Sequence, residues 1–282
     1  MPELPEVETV MRGLVPHLLG RTIVRLEARR PDLRQPLPPD LAARVAGRRV
    51  DALTRRAKYI LLRLAPRATG EAVEFLLLHL GMSGRLVVGR ADGHVRGPHE
   101  HVVFVTDMGA EIRFSDPRRF GLVDLVPAAG LADDARFAGL GPEPLSDAFD
   151  APALAAAFAG SRTAVKLALL DQRRLAGVGN IYACEALFRA GISPLRRAGS
   201  VAGARAVRLV AAVKAVLADA IEAGGSSARD YVQASGEAGW FQNRWAVYDR
   251  EGKPCPGCDC GGGVRRIVQG ARSTFYCPRR QR

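Results

Sequence analysis

The spacing of apolar residues changes character twice along the 282-residue chain. Near the start Val7, Val10, Leu14 and Leu18 recur at helical spacing and Pro5 suits a first helical turn, predicting a helix over residues 5–19. From Arg21 to about Leu125 the pattern becomes short β-like runs: TIVRLEAR, RRVDALTRR, YILLRL, EFLLLHL, GRLVVG, HVVFVTD, EIRF and GLVDLV. Breaks bearing Gly or Pro, such as APRATG, GMSGR and DPRRFG, separate these runs and predict eight strands in a β-sandwich or flattened barrel. After the polar stretch GPEPLSDAFD, residues 151–223 turn Ala-rich and helical. The clearest helix there is ARAVRLVAAVKAVLADAIEA, stopped by Gly224 and Gly225. YVQASGEAGWFQNRW follows as a long, mobile Gly-rich loop, and residues 246–282 form a compact Cys-bearing module. The predicted class is α+β in three segments: 1–131, 132–245 and 246–282.

Ordinary hydrophobic and charged fractions exclude wholesale disorder. No apolar run approaches the roughly 18–20 residues of a membrane span. The opening MPELPEVETV has neither a basic nor an apolar leader region, so a soluble intracellular protein is expected. Charge narrows the class further. Forty-one Lys and Arg against 29 Asp and Glu leave +12, spread along the chain, which predicts a polyanionic partner. Only Lys58, Lys166, Lys214 and Lys253 are lysines, and unlike Arg a lysine can exchange its proton at working pH.

The start of the chain carries candidate chemistry. Removal of Met1 would expose the secondary amine of Pro2, and α-amino groups titrate near 7.7–8.0. Such an amine adds to an aldehyde carbon to give an iminium, a strong electron sink, while Glu3 and Glu6 could orient it and carry protons. Helix capping is the plainer use of the same residues.

Four of the five cysteines lie in the last 28 residues. Cys255-Pro-Gly-Cys258 is a knuckle and Cys277 follows at zinc-ribbon spacing, but position 280, where the second knuckle needs a thiol, holds Arg280. Cys260, water or a metal-free hairpin are the alternatives for the fourth place. Between the knuckles GGGVRRIVQGARSTFY reads as a β-hairpin with basic and hydroxyl residues at its turn, where Arg272, Ser273 and Thr274 would suit phosphate. LLDQRRLAGVGNIYACEALFRAGI reads as helix–turn–helix. In it Gly177 and Gly179 offer amides to an anion, Asn180 caps a helix from Ile181, and Gly191 stops it. HLGMSGR and DPRRFG expose Met82, Arg118, Arg119 and Phe120, the apolar-plus-Arg combination that wedges base steps apart.

Taken together, PELPEVETV, RRAKYILL, HLGMSGRL, DPRRFG, LGPEPLS, AGVGNIYACEALFRAGISP and QGARSTFYCP resemble the bacterial formamidopyrimidine-DNA glycosylases from end to end. The resemblance implies an N-terminal β-sandwich with flanking helices, a helix-two-turn-helix domain and a zinc-finger-like hairpin. It implies a bifunctional glycosylase and lyase excising 8-oxoguanine and formamidopyrimidines from double-stranded DNA through a Pro2 Schiff base and β,δ-elimination. By similarity Glu3 is the acid at the sugar ring oxygen, Glu6 its neighbour, Lys58 the β-elimination donor and Arg272 the δ-elimination and phosphate residue. The resemblance likewise implies that His79, His99, Arg118, Arg162, Lys166 and Asn180 are DNA contacts. Met82, Arg118 and Phe120 fill the gap left by the everted nucleotide, and QASGEAGWFQ closes over the base. A cytoplasmic monomer, away from membranes, with one structural zinc on Cys255, Cys258, Cys277 and a fourth ligand is expected. An endonuclease VIII-type enzyme for oxidised pyrimidines and a non-catalytic DNA-binding protein remain open.

Overall fold

The computed structural model describes residues 1–90, 96–227 and 230–282. Helix α1 (Leu4–Leu18) starts one residue before the predicted position, because Glu3 is its N-cap and the Glu3 N–H donates to Glu6 Oε2 at 2.8 Å. Then come β1 (Thr22–Ala28), a short α2 (Leu41–Val45), β2 (Arg48–Arg56), β3 (Tyr59–Leu64) and β4 (Glu74–His79). After these run β5 (Arg85–Arg90), β6 (Glu100–Thr106), β7 (Ala110–Ser115) and β8 (Leu122–Pro127). Every predicted strand is present. The sheet is antiparallel, in the order β5-β7-β6-β1-β2-β3-β4-β8. Strands β1 and β2 share only the pairs Thr22↔Arg49 and Ile23↔Arg48, so the sheet divides there into two four-stranded halves. Inward residues of both halves (Ile23, Leu62, Leu76, Phe104 and Phe114) join Val7, Val10 and Leu14 of α1 in one core, as a sandwich requires. At about 1.5–3 kcal/mol per buried side chain, that core fixes the start of α1 over the sheet.

The remaining elements are α3 (Ala151–Phe158), α4 (Val165–Leu170), α5 (Asn180–Ala190), α6 (Ala204–Glu222), β9 (Arg265–Gln269) and β10 (Arg272–Tyr276). Gly179, not Asn180, caps α5, while Gly191 at φ +68° ends it as expected. Strands β9 and β10 are joined through Gly270 and Ala271, both at positive φ, as a two-residue hairpin turn of right-handed twist demands. Arg272, Ser273 and Thr274 therefore lie in β10 and not at the turn, and Thr274 is buried away from any phosphate.

By spatial contact the chain forms two units, Met1–Ala138 with Ala223–Trp240, and Gly139–Glu222 with Phe241–Arg282. This division differs from the three segments drawn above. The loop after α6 packs with the β-rich unit, and the Cys module packs with the helices. No described helix is long and apolar enough to cross a membrane.

Candidate active site and metal centre

At the start of α1, Pro2, Glu3 and Glu6 are buried, whereas Met1 is 51% exposed. Buried carboxylates require donors. Glu6 Oε2 accepts the Glu3 N–H and Glu6 Oε1 accepts the Ser226 N–H, each at 2.8 Å, so one side chain bridges the chain terminus and the segment after α6. That segment is pinned elsewhere too. Tyr231 Oη donates to Gly224 O (3.1 Å), Ser227 Oγ donates to Tyr231 O (2.8 Å), and the Val88 N–H donates to Ala234 O (2.8 Å). Gly225 lies at φ +82°, and a Cβ there would press on both Tyr231 and Glu6. Burial, then the Glu6 carboxylate, raise the Tyr231 phenol, which therefore stays a donor. The loop expected to be mobile, YVQASGEAGWFQNRW, is thus held at its start through Tyr231 and Ala234.

Lys58 is buried on the β2–β3 turn, where Ala57 takes φ +52°. Arg55 ties this turn to α1, donating through Nε to Glu8 Oε2 (2.8 Å) and through Nη1 to Ala57 O (2.9 Å). His79 pairs with Tyr59 across β3 and β4, their rings 4.7 Å apart. The Gly81 N–H donates to His79 Nδ1 at 3.0 Å, which leaves the ring proton on Nε2. Burial, reinforced by the charges of Lys58 and Arg34, lowers the His79 pKa to about 4. Between pH 6.5 and 4 the unfolded chain therefore binds the extra proton, and stability falls as pH falls through that window, by about 3 kcal/mol in full. The stability advantage of the parent over His79→Gln, read from urea unfolding, is expected to shrink from pH 7 to pH 4; a constant difference would contradict it.

Met82 (38% exposed), Arg118 and Phe120 (44% exposed) project from the turns at 80–84 and 116–121, with the Arg118 guanidinium 4.9 Å from the Phe120 ring centre. His99 is exposed beside the second turn, and its carbonyl accepts the Asp116 N–H at 3.0 Å.

In the second unit Arg162 and Arg272 are exposed, as phosphate contacts should be. Lys166 is not. It is fully buried and donates to Thr274 Oγ1 (2.8 Å) and Ser273 O (3.3 Å), so it holds β10 rather than reaching solvent for DNA. Asn180 places one Nδ2 proton on the same Ser273 carbonyl at 2.9 Å, leaving a second. Of the two glycine amides expected to bind an anion, that of Gly177 is taken by Gln172 Oε1 at 2.8 Å. Glu185 is a residue the sequence reading overlooked, its only signal being one acid in the apolar run IYACEALF. Buried in α5, it accepts the N–H groups of Ala246 (2.9 Å), Val247 (2.9 Å) and Tyr248 (2.8 Å) just before the Cys module. Glu185→Ala strands these amides and is expected to cost about 3 kcal/mol in denaturant unfolding. A loss below about 0.5 kcal/mol, the scale of a surface change, would contradict it.

Cys255, Cys258 and Cys277 place their sulfurs within 4.8 Å of one another. Cys258 Sγ lies 3.6 Å and Cys260 Sγ 3.7 Å from Cys277 Sγ. A tetrahedron with metal–sulfur bonds of about 2.3 Å has edges of about 3.8 Å, so the three mutually close thiols suit one ion, and Cys260, beside Cys277, is a candidate for the fourth place. Burial and then the neighbouring thiols push the Cys258 thiol up to about 12, and a divalent cation would reverse that preference. Arg280 packs against the backbone of the Cys255–Cys258 knuckle. Its guanidinium lies 4.9 Å from the Phe188 ring centre, and its Nη1 donates to Gly257 O at 3.0 Å.

Residues 1–123 match the family model of the formamidopyrimidine-DNA glycosylase N-terminal domain, and residues 140–232 match that of the formamidopyrimidine-DNA glycosylase H2TH domain. A formamidopyrimidine-DNA glycosylase of Rhodospirillum centenum is 57% identical over the whole of both chains. The crystal structure of MutM (Fpg) from Thermus thermophilus superposes with a TM-score of 0.84 at 42% identity, covering 99% of this chain and 98% of that one. A MutM complex with carbocyclic 8-oxo-G-containing DNA superposes at 0.86 and 30% identity over the full length of both chains.

Proposed function

The chain belongs to the formamidopyrimidine-DNA glycosylase family, and from that premise we propose how its own residues excise oxidised purines from duplex DNA in base excision repair. The observation that carries the reading is the buried Pro2–Glu3–Glu6 start of α1, with the Lys58 turn tied to the same helix through Arg55. Trimming of the exposed Met1 frees the Pro2 nitrogen, whose lone pair attacks C1′ of the damaged nucleotide as the bond to the base breaks. Glu3 supplies a proton at the sugar ring oxygen, and ring opening leaves an iminium. The cationic nitrogen acidifies the C2′ proton. Its loss expels the 3′ phosphate, and Lys58, a group able to exchange protons, serves that β-elimination. Arg272 assists the second elimination and holds phosphate.

The damaged nucleotide must leave the stack to be reached, at a cost of a few kcal/mol. Insertion of Met82, Arg118 and Phe120 into the vacated space offsets that cost. His79, as a neutral Nε2–H donor, together with His99, Arg162 and the free Asn180 N–H, contacts DNA. The loop QASGEAGWFQ, residues 233–242, closes over the base. A structural zinc on Cys255, Cys258, Cys277 and Cys260 would hold the module that presents Arg272; it supplies fold, not chemistry. One nucleophile per chain lets a monomer suffice, acting in the cytoplasm on nucleoid DNA.

Borohydride reduction with an 8-oxoguanine:cytosine duplex tests this. A covalent adduct mapping to Pro2 is expected. Absence of any adduct would point to a DNA-binding protein without catalysis, and preferential capture of thymine-glycol duplex to a pyrimidine-directed enzyme.

A further inference from the structure

Asp116 is completely buried, yet nothing in the chemistry above uses it. Its Oδ1 accepts the Ser83 hydroxyl at 2.6 Å and its Oδ2 accepts the Gly121 N–H at 2.7 Å. Ser83 Oγ in turn accepts the Arg118 N–H at 3.2 Å. The Asp116 carbonyl accepts the Arg119 N–H (3.2 Å) and lies 2.9 Å from His101 Nε2. One carboxylate and one hydroxyl therefore cross-link two turns that lie 33 residues apart in the chain. The turns also touch directly. A Cβ on Gly81 would collide with the Phe120 and Gly121 backbone, and one on Gly121 would collide with Phe114. Arg119 takes the left-handed φ of +57° between Arg118 and Phe120, a conformation the surrounding bonds must impose.

From this geometry we propose that Ser83 and Asp116 are positioning residues that lock Met82, Arg118 and Phe120 into one preformed wedge, thereby setting selectivity for the base opposite the lesion without touching DNA. The inference rests on the proposed role of that trio. Met82 adjoins Ser83 directly, and Arg118 and Phe120 lie between the Asp116 side chain and its second partner at Gly121. Directional hydrogen bonds fix the spacing of the three tips in a way that apolar contact between turns would not. A wedge already in shape loses little freedom on entering the stack, and an Arg118 held in register can reach the orphaned base edge.

The experiment compares Ser83→Ala and Ser83→Thr with the parent. Measured are 8-oxoguanine excision opposite C and opposite A, imine trapping on a preformed abasic duplex, and the thermal midpoint. Ser83→Ala is expected to slow excision opposite C about tenfold and to bring the C-over-A ratio to within about twofold of unity, because Arg118 loses its backbone anchor. Trapping at the abasic site, which needs no eversion of a paired base, should stay within about threefold of the parent. Ser83→Thr, which keeps the hydroxyl, should restore the ratio. An unchanged ratio in Ser83→Ala overturns the proposal, as does an equal fall in abasic-site trapping, which marks general unfolding. A parent that does not distinguish C from A also overturns it. If Met82→Ala, Arg118→Ala and Phe120→Ala are all inert, the reading of the trio fails first; if they act while Ser83→Ala does not, only this inference fails.

Discussion

Protein that keeps Met1 is expected to form no borohydride-stable adduct with damaged DNA. With Met1 attached, the Pro2 nitrogen is an amide whose lone pair is delocalised into the carbonyl. It can neither attack C1′ nor become the cationic electron sink that acidifies C2′. The loss should be roughly a thousandfold or more in strand cleavage, the scale on which removing a nucleophile acts. Replacing Pro2 with a bulky residue such as Leu blocks trimming and delivers this test. Pro2→Gly is the graded comparison, because it still presents a trimmed, primary amine in the same place. Its trapping should be weaker but measurable. Binding to a duplex with a non-cleavable abasic analogue separates chemistry from recognition. In the Met1-retaining protein such binding should fall far less than cleavage does, since the contacts assigned to His99, Arg162 and Arg272 do not involve the terminus. Near-normal cleavage by Met1-retaining protein would falsify the amine mechanism outright.

Local order was readable wherever a residue's role depends on near neighbours. The eight strands and the stop at Gly191 follow from apolar period and turn chemistry, which act over a few residues, whereas the hairpin turn falls at Gly270 and Ala271 and not at Arg272–Thr274. Roles that depend on distant partners were not readable. Ser226 meets Glu6 across 220 positions, and Lys166 meets Thr274 across 108, so nothing near Lys166 in the chain tells a buried clamp from a phosphate contact. Asp116 opens the turn DPRRFG, where an Asp needs no further explanation. Only the fold shows that its second oxygen serves Gly121 and its first Ser83. The sequence thus proposes the candidate site as a set of residues, and the supports behind it are visible only in the fold.

The same distinction bears on the metal centre, where spacing alone leaves the fourth ligand open and the fold brings Cys260 beside the three clustered thiols as the candidate we propose. Position 280 cannot supply a thiol, and the Arg280 guanidinium is engaged with Phe188 and the Gly257 carbonyl. A side chain at position 257 would collide with Arg280, so the glycine inside the Cys255–Cys258 knuckle makes room for the arginine. Cys260 meanwhile brings its sulfur to within 3.7 Å of Cys277 Sγ. Cys260→Ser is therefore expected to weaken zinc by about a hundredfold, at least the cost of losing an outer-shell partner, and to lower the thiolate count in the cobalt-substituted spectrum. Adding Arg280→Cys to that variant returns a thiol to the second knuckle and should recover both zinc and spectrum, while Arg280→Ala on the same background should recover neither. Because zinc would hold the Arg272 hairpin and not the Pro2 chemistry, Cys260→Ser should impair δ-elimination and DNA affinity more than imine trapping on an abasic duplex. Full zinc content and an unchanged cobalt spectrum in Cys260→Ser would remove Cys260 from the ligand set. A parent protein without bound metal would leave the hairpin to the packing of Cys184, Phe188, Val247 and Phe275.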